Sequence, residues 1–186
     1  MKVALMRAAG ILLGAALLAG CISTVAHPVP GGPAFESDEL RFVAPTGWEV
    51  RRSTEVSLGR SGRFIYLANQ LLHDDCVADA SGIVCRPPID GGLRQGGLLV
   101  TWVVQSCVAG GCDLPPVRLI SIGNRQGVRV PMSAGCEEVG YTERSAYYVT
   151  VTPQRVDILI ACARDPSDAT RSAFLGFLDA IHWRIP

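Results

Sequence analysis

Cysteine is the residue type in this chain whose spacing predicts the most chemistry. One of the seven cysteines ends an apolar N-terminal segment, and the other six are Cys76, Cys85, Cys107, Cys112, Cys136 and Cys162. An even set predicts disulfides in an exported chain, because that compartment is oxidising. Closure across short turns favours Cys76–Cys85 and Cys107–Cys112, which leaves Cys136–Cys162. Other pairings stay open, while zinc is disfavoured because no two cysteines have Cys-x-x-Cys spacing.

His73-Asp74-Asp75-Cys76 is the densest group of metal-ligand side chains in the chain. An imidazole and two carboxylates suit a divalent ion. Adjacent residues of an extended segment point alternately to opposite sides, however, and rarely converge on one ion. The segment is therefore interpreted as a solvated turn that enters a disulfide, and no metal or cofactor is expected.

Two further patterns could indicate a phosphate site or a nucleophile. Gly91-Gly92-Leu93-Arg94-Gln95-Gly96-Gly97 is rich in glycine, but a phosphate loop needs a strand before it and a helix after it. A β-branched run follows instead, so the sequence predicts a turn. Ser61 lies in Gly59-Arg60-Ser61-Gly62, which is not the Gly-x-Ser-x-Gly nucleophile elbow.

General acid–base chemistry has few candidates. Glu137 and Glu138 are adjacent, so their side chains are expected to diverge in a solvated loop. His27, His73 and His182 are the three histidines. A Ser–His–Asp arrangement assembled by the fold stays open, although nothing local indicates one. The prediction is a protein without catalytic residues.

The first 20 residues have the layout of a secretory signal peptide. Lys2 and Arg7 lie at its start, an apolar run follows, and small residues precede the exit. The run is too short for a spanning helix, which needs about 20 apolar residues. Leu18-Ala19-Gly20-Cys21 resembles the lipobox of bacterial lipoproteins. That resemblance implies cleavage after Gly20 and a lipid on Cys21 that attaches the protein to a membrane.

Residues 21–38 are rich in proline and glycine, which predicts a tether behind the lipid. Fully extended, it would hold the domain up to about 50 Å from the bilayer. Residues 39–186 have the size of one domain. An aspartate directly after the lipidated cysteine would resemble an inner-membrane retention signal, and this chain has Ile22 there instead. The expected location is therefore the periplasmic face of an outer membrane, or otherwise the outer face of the cell membrane.

The charge balance indicates no strongly charged partner. The chain has 17 basic and 17 acidic residues, and loss of Lys2 and Arg7 with the signal leaves a net charge of about −2. Nucleic acid is not expected as a partner. Lys2 is the sole lysine of the sequence, so a lysine nucleophile or base is excluded from the mature chain.

Short apolar runs separated by turn residues predict an antiparallel β-sheet. The expected strands cover residues 40–44, 48–50, 64–68, 98–104, 117–122, 127–130, 146–152 and 156–161. Asn124 lies in the turn of one expected hairpin and Gln154 in the turn of another. Consecutive strands without helices between them predict a meander. Residues 71–97 are expected to form a long excursion tied by a disulfide.

The C-terminal segment changes to helical spacing. Asp165 is expected as the N-cap and Pro166 as the first helical residue. One apolar stripe then predicts a helix of about 14 residues that covers the sheet, formed by Phe174, Phe177, Leu178 and Ile181. The fold class is thus α+β. The three tryptophans, Trp48, Trp102 and Trp183, are expected in the core, or alternatively along a groove between sheet and helix.

Several short motifs resemble the Mog1/PsbP-like group of α/β sandwich proteins. They are Phe42-x-x-Pro45-x-Gly47-Trp48, the turn Ile122-Gly123-x-x-x-Gly127-Val128-Arg129, the paired hairpins and the final Ala180-Ile181-His182-Trp183. The resemblance implies an antiparallel sheet with helices on its faces, and partner binding or assembly support without shared catalytic residues. The expected function is a lipid-anchored, non-enzymatic binding or assembly module with an envelope protein as partner. A carrier of lipid or another small apolar ligand is the first alternative, and an envelope hydrolase is the second.

Overall fold

The computed structural model describes residues 27, 29–53, 64–74, 76–79, 82–85, 88–107, 119–132 and 136–185. The lipobox, Ser61, Asp75 and Cys112 lie outside these ranges. The strands are β1 Ala34–Glu36, β2 Leu40–Val43, β3 Glu49–Arg52, β4 Phe64–Ala68, β5 Cys76–Asp79, β6 Gly82–Cys85, β7 Gly97–Ser106, β8 Leu119–Ile122, β9 Arg125–Pro131, β10 Glu143–Thr152, β11 Arg155–Arg164 and β12 His182–Trp183. A 3₁₀ helix covers Glu137–Val139, and the α-helix α1 covers Asp168–Ala180.

Seven strands form the central sheet in the order β3-β4-β7-β11-β10-β9-β8, and each of its pairings is antiparallel. Strands β8 to β11 are successive neighbours, so the predicted meander and its two hairpins are correct there. The prediction is wrong for β7, which pairs with β4 and β11 rather than with β8. The first four residues of β7 are all buried, so both faces of this strand must be covered. A place in the middle of the sheet, with packed residues on either side, provides that cover.

One face of the central sheet packs against α1 and against a small sheet with the order β1-β2-β12. The predicted helical stripe is confirmed for Phe174, Phe177 and Leu178, which are buried in this core. Ile181 is buried there as well, but it is the extended residue that follows α1. Trp48, Trp102 and Trp183 lie in the same core. The described residues therefore form an α+β architecture.

The start of α1 differs from the prediction. Ser167, not Asp165, is the N-cap: its backbone is extended, and its Oγ accepts a hydrogen bond from the Thr170 amide at 3.1 Å. Asp165 has a φ of 45°, a left-handed conformation unsuited to the N-cap position. Pro166 consequently precedes the helix, and α1 begins at Asp168.

The opposite face of the sheet carries a second, smaller core. Its buried residues are Ala68, Leu72, Ile89, Leu93, Leu99, Cys136, Val139 and Cys162. Cys136 and Cys162 form a disulfide with a Cα–Cα distance of 5.7 Å. This is the pair that remains once the four other cysteines are joined across short turns, and the structure confirms it. It fixes the segment with the 3₁₀ helix to strand β11.

The other two predicted disulfides stay predictions. Strands β5 and β6 form a two-stranded sheet in which Cys76 and Cys85 are register partners. Cys107 is disulfide-bonded, and Cys112 lies outside the described residues. The expected excursion of residues 71–97 thus contains a hairpin.

The predicted tether is partly folded onto the domain. Strand β1 pairs with β2, and the ring of Phe35 stacks on Phe42 with centroids 4.8 Å apart. His27 Nδ1 lies 2.9 Å from Asp179 Oδ2 near the end of α1. Residues 34–36 of the predicted tether are thus part of the folded structure. Phe35 is a single large apolar residue in a proline- and glycine-rich stretch, so no periodicity indicated a strand.

Candidate functional site

Two of the tryptophans predicted as possible groove residues, Trp102 and Trp183, belong to a buried polar network instead. Asp157 is completely buried, and it accepts hydrogen bonds from Trp102 Nε1 at 3.2 Å and Trp183 Nε1 at 2.9 Å. Arg155 donates to both carboxylate oxygens of Asp157, at 2.8 and 3.2 Å, and to Glu39 at 2.6 Å. The network connects β7, β11, β12 and the residue before β2, so it acts as a structural centre.

Arg155 stays charged in this network. Burial lowers the pKa of its guanidinium, but hydrogen bonds and charge attraction from Asp157 and Glu39 raise it by more, so the pKa lies above its ordinary value. A buried carboxylate is stable only when such partners satisfy it. The alternative of a tryptophan-lined groove is accordingly wrong, because all three indoles lie in the core and those of Trp102 and Trp183 bind Asp157.

A groove does lie between the sheet and the helix, at the N-terminal half of α1. Its volume is about 220 Å³, and we call it the α1 groove. It is lined by Leu98, Arg129, Glu143, Arg144, Ser145, Tyr147, Ala161, Ala163, Pro166, Arg171, Phe174 and Leu175. Strands β7, β9, β10 and β11 supply its floor. Alternation along β10 directs Glu143, Ser145 and Tyr147 to the same face of the sheet.

Arg129 is the distinctive charge of the α1 groove. Its Nε and Nη2 lie 3.2 and 3.0 Å from Ser145 Oγ, and its guanidinium lies 6.0 Å from the ring centre of Tyr147. Within the described residues, Arg129 has no carboxylate partner. Strand register explains the cluster, because Arg129 lies directly opposite Tyr147 across β9 and β10.

The Tyr147 side chain is largely buried beside Phe174, with ring centroids 5.4 Å apart in an edge-to-face arrangement. Burial raises the pKa of its phenol, and the positive charge of Arg129 offsets part of that rise. The phenol is thus neutral at neutral pH and can donate a hydrogen bond. Among the described residues, its hydroxyl has no hydrogen-bond partner.

The two other guanidinium groups of the α1 groove have carboxylate partners. Arg144 binds Glu137 at 2.7 Å and stacks over the ring of Tyr141 at 4.4 Å. Arg171 pairs with Glu143. Three positive charges thus meet two negative ones, and the groove retains one positive charge at Arg129.

The described side chains of the His73–Cys76 segment, those of His73 and Asp74, have different partners. His73 Nδ1 lies 2.8 Å from the backbone oxygen of Asp74, and its Nε2 lies 3.1 Å from Asp90 Oδ1. The Asp74 carboxylate accepts a hydrogen bond from Arg51 at 2.8 Å instead. Within the described part of the chain, no group of three or more metal-ligand side chains lies together.

The glycine-rich loop turns back onto its own domain. Gly91, Gly92 and Gly96 have positive φ values, as the predicted turn requires. The Leu93 amide donates to the Val139 carbonyl at 2.6 Å, and the Gly96 amide donates to the Arg164 carbonyl at 2.8 Å. These two amides are therefore used within the protein and do not face a phosphate.

The remaining acid–base candidates are dispersed. Glu137 pairs with Arg144, while the neighbouring Glu138 is exposed. His27 contacts Asp179, and His182 lies on β12. Across the described ranges, no hydrogen bond joins a histidine to a serine.

The sequence interpretation missed the polar residues of the α1 groove. Arg129 was quoted only within a fold motif, and Ser145 and Tyr147 were not singled out. The available signal was the alternation of side chains along β10. Its inward-facing positions are apolar or aromatic at Val149 and Tyr147 and become polar at Ser145 and Glu143. Polar residues that continue an apolar strand face indicate a groove at the edge of the core.

Comparison of the chain with protein-family models, curated proteins and solved structures finds no match. In the described portion of the chain, α1 included, none of the helices has the length and apolar character needed to cross a membrane.

Proposed function

We propose that this protein is a lipid-anchored binding module of the bacterial cell envelope, and that the α1 groove is its binding site. One observation carries the proposal: an apolar groove that also presents a guanidinium without a carboxylate partner, a serine hydroxyl and an unpaired phenol, within the described residues. Ligand sites combine apolar lining with a few convergent polar groups in this way. The resemblance to the Mog1/PsbP-like group, with its partner-binding members, favours the same function.

The chemistry of the groove favours binding over catalysis. Ser145 is its serine, and Ser145 Oγ is held by Arg129. A nucleophilic serine needs a neighbouring general base, and a guanidinium cannot lose its proton at ordinary pH. None of the described residues that line the α1 groove is a histidine.

The export and anchor parts of the proposal rest on the N-terminal sequence and on the cysteines. The disulfide Cys136–Cys162 agrees with an oxidising compartment. If Cys21 carries the lipid, six residue steps connect it to His27, which contacts Asp179. These steps span at most roughly 20 Å. The C-terminal end of α1 would then lie near the bilayer, with Arg171 about 12 Å further along the helix.

The dimensions of the α1 groove favour a binding module over a carrier of membrane lipid. A cavity of about 150 Å³ holds one benzene ring, so the groove volume of about 220 Å³ suits a ligand on the order of ten heavy atoms. A lipid with two acyl chains is several times larger. The carrier is therefore retained only for a small ligand.

A photo-crosslinking amino acid in place of Leu175 tests the binding site in cells. Leu175 lines the α1 groove and is 39% exposed, while Leu119 on the edge strand β8 is 62% exposed and serves as the matched position. We expect an adduct at Leu175 that disappears in the Arg129→Gln background, read by intact mass. Equal adducts at both positions, or none at Leu175, would refute the groove as the site.

The anchor is tested separately with Cys21→Ser. We expect the unmodified chain to carry a lipid on Cys21, read by intact mass, and the variant to lack that lipid mass whether its signal is uncleaved or cleaved elsewhere. A variant that carries the same lipid mass as the unmodified chain would contradict the lipid anchor.

A further inference from the structure

We propose that the α1 groove binds a small carboxylate, with the anion on Arg129 and a compact apolar body against Phe174 and Leu98. This inference rests on the proposed binding function and names the ligand class of the same site. It follows from three properties of the groove, which are its net charge, its hydrogen-bond donors and its volume.

Charge selects a monoanion. Arg144 and Arg171 are balanced by Glu137 and Glu143, whereas Arg129 has no carboxylate partner within the described residues. One bound negative charge completes the balance of the groove. A dianion would exceed that balance by one negative charge.

The unpaired polar groups are donors, and a carboxylate is an acceptor without donors. Arg129 uses one proton each of Nε and Nη2 on Ser145, which leaves the two Nη1 protons and the second Nη2 proton for a ligand. Ser145 Oγ accepts those bonds, so its own proton is free to be donated. The Tyr147 hydroxyl adds a third donor. Planar carboxylates match the fork of an arginine better than other monoanions do.

The apolar part of the lining limits the ligand's body. Leu98, Ala161, Ala163 and Phe174 are buried beneath the groove, and Leu175 is partly exposed at its edge. The volume of about 220 Å³ is somewhat larger than a cavity that holds benzene. A ring or short branched chain with one carboxylate therefore fits.

Benzoate is the probe, with benzamide as its neutral isostere and phenyl phosphate as a dianion. The full lipid-anchored chain in nanodiscs is titrated while the linewidths of the ligand's proton resonances are recorded, with empty nanodiscs as the blank. We expect benzoate to bind at least tenfold more tightly than benzamide and more tightly than phenyl phosphate. Equal binding of benzoate and benzamide, or tighter binding of the phosphate, would overturn the carboxylate class.

Two variants localise the probe. Arg129→Gln should weaken benzoate about 10- to 100-fold, because a charge-assisted hydrogen bond is lost. Tyr147→Phe should weaken it by a smaller factor. Arg41→Gln, an exposed β2 arginine without a polar partner in the described residues, should have no effect. An equal response of the Arg129 and Arg41 variants would overturn the assignment.

The failure of this inference differs from a failure of the proposed function. If benzoate does not bind while the Leu175 adduct still depends on Arg129, the carboxylate class is wrong and the binding site stands. If benzoate does not bind and the Leu175 adduct is also absent, both proposals are wrong.

Discussion

The buried carboxylate Asp157 gives the sharpest prediction of stability. Asp157→Asn keeps the size of the side chain but removes its charge and replaces one acceptor oxygen by an NH₂ donor. Four donor atoms point at this group: two indole nitrogens and two guanidinium nitrogens of Arg155, at 2.8 to 3.2 Å. The amide cannot satisfy all of them, and Arg155 loses its fully buried counter-charge.

The expected loss of unfolding free energy is about 3–5 kcal/mol, the usual cost of breaking a buried ion pair by removal of one partner. That is a large share of the total stability of a domain, which is about 5–15 kcal/mol. Glu39 retains a contact to Arg155, but its side chain is 44% exposed, so we assign it little compensation. Asp38→Asn, at an exposed position of the same chain, should change the stability by less than about 0.5 kcal/mol.

Urea unfolding followed by tryptophan fluorescence measures this difference, since Trp102 and Trp183 both contact Asp157. The double variant Arg155→Met with Asp157→Asn should recover part of the loss, because it leaves neither charge buried while the amide oxygen still accepts a hydrogen bond from an indole. Equal unfolding midpoints for Asp157→Asn and Asp38→Asn would show that the buried charge of Asp157 does not stabilise the fold. A double variant less stable than Asp157→Asn alone would contradict the expected recovery.

Three further outcomes are expected. In Gly123→Ala the new Cβ would lie 1.7 Å from the Ile181 carbonyl oxygen at a φ of 53°, so the free energy of unfolding should fall by at least about 2 kcal/mol in denaturant titrations. Replacement of Cys136 and Cys162 by alanine should lower the unfolding free energy by up to ~3.5 kcal/mol, measured against the oxidised parent chain. Because the pKa of Tyr147 is raised in the fold, the associated stability is present below the ordinary pKa of tyrosine and is lost as the pH rises through the folded value; Tyr147→Phe should abolish that alkaline loss, measured by unfolding at increasing pH.

Matched measurements can contradict each of these three outcomes. Gly47 also has a positive φ, but its added Cβ would meet nothing within 4 Å; a Gly47→Ala loss as large as that of Gly123→Ala would remove the steric argument. A reduced parent chain as stable as the oxidised one would contradict the disulfide's contribution. Identical alkaline stability profiles of the parent and Tyr147→Phe would contradict the raised pKa.

Features governed by local spacing could be predicted from the sequence. Phe174, Phe177 and Ile181 recur with the helical period, and the structure buries all three. The turn that contains Gly123 was also identifiable, because glycine there permits the left-handed conformation. Local rules sufficed since each feature depends on neighbours within a few residues.

Features that depend on distant partners could not be predicted. The place of β7 between β4 and β11 follows from burial on both faces of the sheet. In the sequence, Asp157 is an ordinary polar residue of a predicted strand. Its buried network forms only because the fold brings two indoles and Arg155 into contact with it. Arg129 became a site residue only because β10 brings Ser145 and Tyr147 opposite it.

Native mass spectrometry of the full chain extracted from membranes tests whether an anchored domain holds a small ligand in the α1 groove. We expect a chain that begins at a lipidated Cys21 and retains one small acidic molecule. Arg129→Gln should lose that molecule, and Arg41→Gln should keep it. An unlipidated chain, a bound two-chain lipid, or a ligand retained equally by both variants would refute the proposed anchored binding site.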